Sequence, residues 1–209
     1  MQERYYAVRT LLENNINEFP ITTEHVKQAL CNYGYNIIKY STDCDAHVEI
    51  LKKLGVLPLV GRTEAFTYKS EKEKIVFIKI GVSADNERLL LAHELGHIAM
   101  GHMSDSVIMA YTPWGLIDRG QEDEANAFAL EFLAPVCVLK KLHITFRKIK
   151  DTVLLDDKFV KIISDRVSHC HTLSNIEIML CNRFKKKSKR NVYGKITDLL
   201  SARIEPLLK

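Results

Sequence analysis

An α+β fold is predicted for this chain of 209 residues by three observations: helical spacing of apolar residues over most of its length, a cluster of β-prone runs between residues 35 and 80, and a mostly apolar helical stretch directly after that cluster. At 46% hydrophobic and 27% charged residues, with nine Gly and five Pro, the composition excludes a disordered or collagen-like chain. One main core with a small appendage is expected at this length.

The elements follow in order. Tyr5, Val8, Leu11 and Leu12 share a helical face within Arg4 to Asn14, and a second helix opens at Thr22 or Thr23, whose hydroxyls suit an N-cap, and closes at Gly34. Ile37, Ile38 and Tyr40 favour a strand within Tyr35 to Ser41. Ala46 to Leu54 reads as a helix closed by Gly55. Ala65 to Lys69 and Lys74 to Ile80 are β-prone runs joined by the charged turn SEKE, which suggests an antiparallel hairpin. Ala84 to Met100 lacks proline and is apolar around most of its circumference, as expected of a buried helix. After a loop with Pro113 and Gly115, a helix runs from Gln121 to Leu133, bounded by Pro135. Beyond Lys140 the chain is mostly helical, with Phe159 to Val167 and Leu173 to Phe184 as its strongest segments. The division expected is a catalytic domain over residues 1–150 and a helical C-terminal region over 151–209.

Cysteine usage and charge bound the setting. Cys31, Cys44, Cys137, Cys170 and Cys181 are odd in number, scattered, and contain no Cys-x-x-Cys pair, so reduced thiols are expected rather than a disulfide framework or a zinc ribbon. The N-terminus carries charges where a signal peptide is apolar, and no apolar run approaches the roughly 18 residues needed to span a bilayer. A cytoplasmic protein without membrane partners is expected. Net charge is +4, yet Arg183 to Arg190 (RFKKKSKR) holds six basic residues and no acidic one; without that run the balance falls to −2. Such a patch is either a solvated face near a helix end or a meeting point for an acidic partner.

The chemistry is concentrated in HELGHIAMGH, His93 to His102, inside the apolar helix. At about 100° per residue, His93 and His97 are offset by only roughly 40° and lie one turn apart, where both imidazoles reach one ion. Glu94 is one step round from His93 and can address a water without binding the ion itself. This His-Glu-x-x-His spacing is a metallopeptidase zinc signature. Two histidines and a carboxylate are costly in an apolar helix unless something compensates them, and a metal ion does. A catalytic zinc needs a third protein ligand and an open position. Position 103, where one zinc-protease subclass places a third histidine, is Met103, and that subclass is excluded. His102 points away from the ion unless the helix ends at Gly101 and the chain turns back, and it is expected to be a helix-terminal or supporting residue.

The third ligand is expected from QEDEANAFALEF, Gln121 to Phe132. Glu122 and Asn126 share one helical face, so Glu122 can bind the metal while Asn126 steadies a ligand histidine. Glu124, turned about 200° from Glu122, is the competitor, and Glu122 is favoured because only it pairs with Asn126. Ala125 and Ala129 are small enough to allow close approach of the two helices. Tyr111 and His143 are candidates to stabilise a developing oxyanion, although spacing places neither. The trio His169, Cys170, His171 reads as a turn, because adjacent side chains diverge.

HELGHI after a β-prone run, then E-x-E-A-N-x-F-A and FLAP (Phe132 to Pro135), resembles the ImmA/IrrE family of zinc metallopeptidases over about Tyr35 to Pro135. The resemblance implies a gluzincin-like protease core with a small sheet beside the HExxH helix, zinc at His93, His97 and Glu122, and Glu94 as general base. It also implies a protein substrate, in many such members a helix-turn-helix repressor of a mobile element, or a role in stress regulation. The rival reading is a non-catalytic regulatory module that binds a partner and keeps a structural or vestigial metal site. Glu94 argues against it, because a structural site has no use for a base. The two C-terminal helical segments resemble a helix-turn-helix only loosely, so docking or packing is expected there ahead of direct nucleic-acid binding.

Overall fold

A computed structural model describes residues 2–60, 63–103, 108–109 and 119–187. Helices α1 (Gln2–Glu13) and α2 (Thr23–Asn32) precede strand β1 (Asn36–Tyr40), helix α3 (Asp45–Lys53), a single 3-10 turn at Leu57–Leu59, and strands β2 (Ala65–Lys69) and β3 (Lys74–Lys79). Then come α4 (Ala84–Ala99), the two-residue strand β4 (Ile108–Met109), α5 (Arg119–Leu133), α6 (Val136–Lys141), α7 (Phe146–Val153) and α8 (Asp157–Ser168). A further helix, α9, spans 175–187. The class is mixed α and β, mostly helical with one small sheet.

Local chemistry explains most boundaries. Thr22 caps α2 reciprocally: the His25 backbone N–H donates to Thr22 Oγ1 at 3.4 Å, and the Thr22 N–H donates to His25 Nδ1 at 3.1 Å. Ser83 caps α4 through the Asn86 N–H. The helix that the sequence leaves unresolved after Pro135 is α6; its first N–H, on Val136, donates to the Glu131 carboxylate at 3.0 Å.

The sheet order is β1-β3-β2-β4. β2 and β3 form the expected antiparallel hairpin with Phe66 opposite Phe77, and β1 runs parallel to β3. Period-two alternation gives the sheet two faces. Phe66 and Phe77, stacked at 4.9 Å between ring centroids, join Tyr40, Leu51 and Val56 in a small core. Ala65, Val76 and Ile78 face the main core, which α1, α2, α4, α5 and α6 build with Leu11, Leu30, Leu91, Leu95, Phe128 and Phe132. Thr67 lies two residues along from Ala65 and therefore on the α4 side. The backbone of β4, which the sequence reading leaves in a loop, pairs Met109 with Thr67 and Ile108 with Tyr68.

All five cysteines are free thiols. Among the described residues no helix is long and apolar enough to cross a membrane. Val160, Ile163, Leu180, Cys181 and Phe184 of α8 and α9 share the main core with α1 and α5.

Candidate metal centre

Two helices build the site. α4 lies against α5 so closely that a Cβ added at Gly96 would stand 3.1 Å from both Cα and the carbonyl oxygen of Ala125 and from Cδ1 of Phe128. The expected small residues on α5 are therefore matched by a residue without a side chain on α4. At this crossing His93 and His97 meet Glu122. The two Nε2 atoms are 3.1 Å apart, and the Glu122 oxygens lie 3.3 Å from His93 Nε2 and 3.2 Å from His97 Nε2. These three side chains offer one ligand atom each, all within 4.8 Å of one another.

The donor set fits zinc. Bonds of about 2.0–2.1 Å in a tetrahedron put ligand atoms about 3.3 Å apart; the two Nε2 atoms stand close to that spacing, and each has a different oxygen of the Glu122 carboxylate at a similar distance, Oε2 beside His93 and Oε1 beside His97. Two imidazoles with one carboxylate are also a donor set found in catalytic zinc sites. The electrostatics agree with a group built to stay anionic. Hydrogen bonds from His93 and then His97 hold the Glu122 carboxyl well below the usual carboxylate range, against a smaller opposing effect of burial. Burial pulls the His93 imidazole down, but the Glu122 carboxylate and the nearby charge of Glu94 outweigh it and raise its pKa.

The outer nitrogens of both histidines are occupied. His93 Nδ1 lies 3.0 Å from Asn126 Oδ1, and His97 Nδ1 lies 3.0 Å from His102 Nδ1. Glu94 is buried, and its Oε2 accepts a 2.5 Å hydrogen bond from the Thr67 hydroxyl on β2. One carboxylate oxygen is thereby fixed to the sheet.

Residues 57–159 match the Peptidase_M78 family model, the IrrE N-terminal-like domain. The chain carries an ImmA/IrrE-family domain. No curated protein and no solved structure matches.

Within this metallopeptidase-type ImmA/IrrE domain, the structure brings His93, His97, Glu122 and Asn126 together as the helical spacing anticipates. Glu124 is turned away from the trio and lies 3.1 Å from His102 Nε2. His143 is exposed in the turn between α6 and α7, and no hydrogen bond or ion pair joins it to the cluster. Tyr111 lies outside the described residues, as do Lys189 and Arg190 of the basic run. His169 caps the end of α8 in a turn, Cys170 is buried beneath Arg4, whose Nη2 donates to its Sγ at 3.3 Å, and among the described residues the trio beginning at His169 belongs to no metal-holding group. Sequence reasoning missed Thr67 and Gly96. For Thr67 no local signal singles it out, because alternation along β2 leaves open which face turns toward α4.

Proposed function

We propose that this chain is a zinc-dependent endopeptidase, with zinc held by His93, His97 and Glu122 and with Glu94 as the general base. The observation that carries the reading is the convergence of His93, His97 and Glu122, one donor atom each within 4.8 Å, with the buried Glu94 carboxylate beside His93 on α4. Zinc, when bound, supplies Lewis acidity that polarises a peptide carbonyl and acidifies a water. Glu94 is anchored through Oε2 to Thr67, and its carboxylate takes the proton of the attacking water and then delivers it to the leaving amine. Asn126 accepts from His93 Nδ1–H and so turns its Nε2 toward Glu122.

The substrate we propose is a helix-turn-helix repressor, on the strength of the family resemblance to ImmA-like regulators. The Lys185, Lys186 and Lys187 end of α9 offers positive charge for meeting a protein partner. The test is cleavage of a purified helix-turn-helix repressor by the purified chain, with and without chelator, alongside Glu94→Gln. That variant keeps the shape of the side chain but cannot accept a proton, so it should retain metal and fold while losing on the order of 10²- to 10⁴-fold in rate. Cleavage at the wild-type rate by Glu94→Gln, or in full chelator, would refute the reading.

A further inference from the structure

We infer that His102 and Glu124 form a positioning relay behind His97, in which Glu124 holds His102 and His102 holds the metal-facing orientation of His97. The inference rests on the zinc site proposed above and adds two residues to it.

Backbone geometry brings His102 within reach. α4 stops at Ala99, and Gly101 takes a left-handed φ of +76° that costs glycine little. The Gly101 N–H then donates to the Ile98 carbonyl at 3.2 Å and the His102 N–H to the His97 carbonyl at 2.9 Å, a Schellman-type closure. The closure folds the chain back so that the His102 ring lies 5.2 Å from the His97 ring, centroid to centroid, with only 7% of its side chain exposed. A position that would point away from the cluster on a continuing helix is thus returned to it.

Proton placement gives the contacts a direction. His97 Nε2 faces His93 and Glu122, so in the neutral imidazole that a metal requires the ring hydrogen sits on Nδ1. That N–H donates to His102 Nδ1 across 3.0 Å, which leaves the hydrogen of His102 on Nε2. From there it is donated to Glu124 Oε2 at 3.1 Å. Every nitrogen in the chain from His97 to Glu124 has one role, and the carboxylate at the end locks both tautomers. Asn126 does the same work for His93 in a single step. Partners of this kind fix the ring of a ligand histidine and raise its basicity, and their loss commonly weakens metal binding 10- to 100-fold.

The test is Zn²⁺ and Co²⁺ affinity by competition with a chromophoric chelator, with the visible absorption of the Co²⁺ form as a second readout. His102→Ala is expected to weaken Zn²⁺ binding about 10- to 100-fold and to shift the Co²⁺ spectrum. His102→Gln, whose amide oxygen accepts from His97 and whose amide nitrogen donates to Glu124, should recover most of that loss. Glu124 is 45% exposed, so Glu124→Ala keeps the fold even if His102→Ala melts early. It should weaken binding several-fold, about 3- to 10-fold, and the double variant should bind no worse than His102→Ala, because Glu124 acts through His102. Wild-type affinity in both His102→Ala and Glu124→Ala, with binding lost in Glu122→Ala, would overturn the relay and leave the zinc site standing. A wild-type chain that binds neither ion would overturn both.

Discussion

Substituting Gly96 by alanine tests whether the spacing of α4 and α5 sets the metal site. The added methyl would meet two backbone atoms of Ala125 and the Phe128 ring, each at 3.1 Å, a few tenths of an ångström inside ordinary carbon contact. Backbone atoms cannot swing aside as a flexible side chain does, so α5 must back away from α4. Overpacking of this kind costs about 1–3 kcal/mol, and the better helix propensity of alanine returns about 1 kcal/mol. The net expectation is a loss of about 1 kcal/mol, or roughly 2–4 °C in Tm for a chain of this size. The functional effect should be larger. Gly96 adjoins His97, and Ala125 is three residues from Glu122, so the retreat of α5 lengthens the 3.2 and 3.3 Å separations between the carboxylate and the imidazoles. Metal geometry tolerates about 0.2 Å, and Zn²⁺ affinity should fall about tenfold. Thermal melting of the metal-free chain and chelator competition measure the two effects separately. A Gly96→Ala chain that melts as high as wild type and binds Zn²⁺ equally would show that the close crossing has no bearing on the site.

Two further outcomes are expected. Burial pushes the Glu131 carboxyl up to about 7 against the opposing pull of Arg4 and the Val136 N–H. Because the folded state keeps a proton that the unfolded chain loses above about 4.5, wild-type stability falls as pH rises from about 4.5 to 7. Glu131→Gln should therefore gain on wild type across that window, by up to about 3 kcal/mol at pH 8. Urea unfolding at pH 5 and pH 8 decides it, and an equal difference at both values would count against the buried-acid account. Replacing Lys185, Lys186, Lys187 and Lys189 by glutamine should leave zinc content and Tm nearly unchanged, since the one ion pair that these lysines make among the described residues, Lys187 with Glu18 at 3.5 Å, is exposed and weak. Cleavage of a folded repressor should be slower than by the wild type at low salt, with the deficit shrinking as salt rises; identical cleavage by variant and wild type across a salt series would make the run a solvated face only.

Legibility in the sequence followed the range of the interactions. Helical periodicity placed His93 over His97 and Glu122 beside Asn126, because each pair is set within one turn of one helix. Glycines signalled the ends of α2 and α3, and a threonine hydroxyl the start of α2. The link from Thr67 to Glu94 spans 27 residues and depends on which face of β2 meets α4, which alternation alone leaves two ways open. Gly96 looks on paper like a weak point in a helix, and its purpose emerges only with Ala125 opposite it. His102 was an intermediate case: its return depended on Gly101 adopting positive φ, a condition that the residue type permits and the backbone fulfils.

The support of α5 reaches far outside the matched segment, residues 57–159. Its inner face is covered in part by Val8 and Leu11 of α1, and Arg4 approaches Glu131 while also pairing with Glu177 of α9. Strand β1, which completes the sheet beside β3, also precedes the match. A fragment cut at the limits of sequence similarity would carry every proposed zinc ligand yet expose the apolar back of the helix that presents Glu122 and leave the Glu131 carboxyl without its arginine. The unit that folds is thus wider than the unit that similarity recognises, and the residues flanking the match are part of what makes the proposed ligands a rigid set.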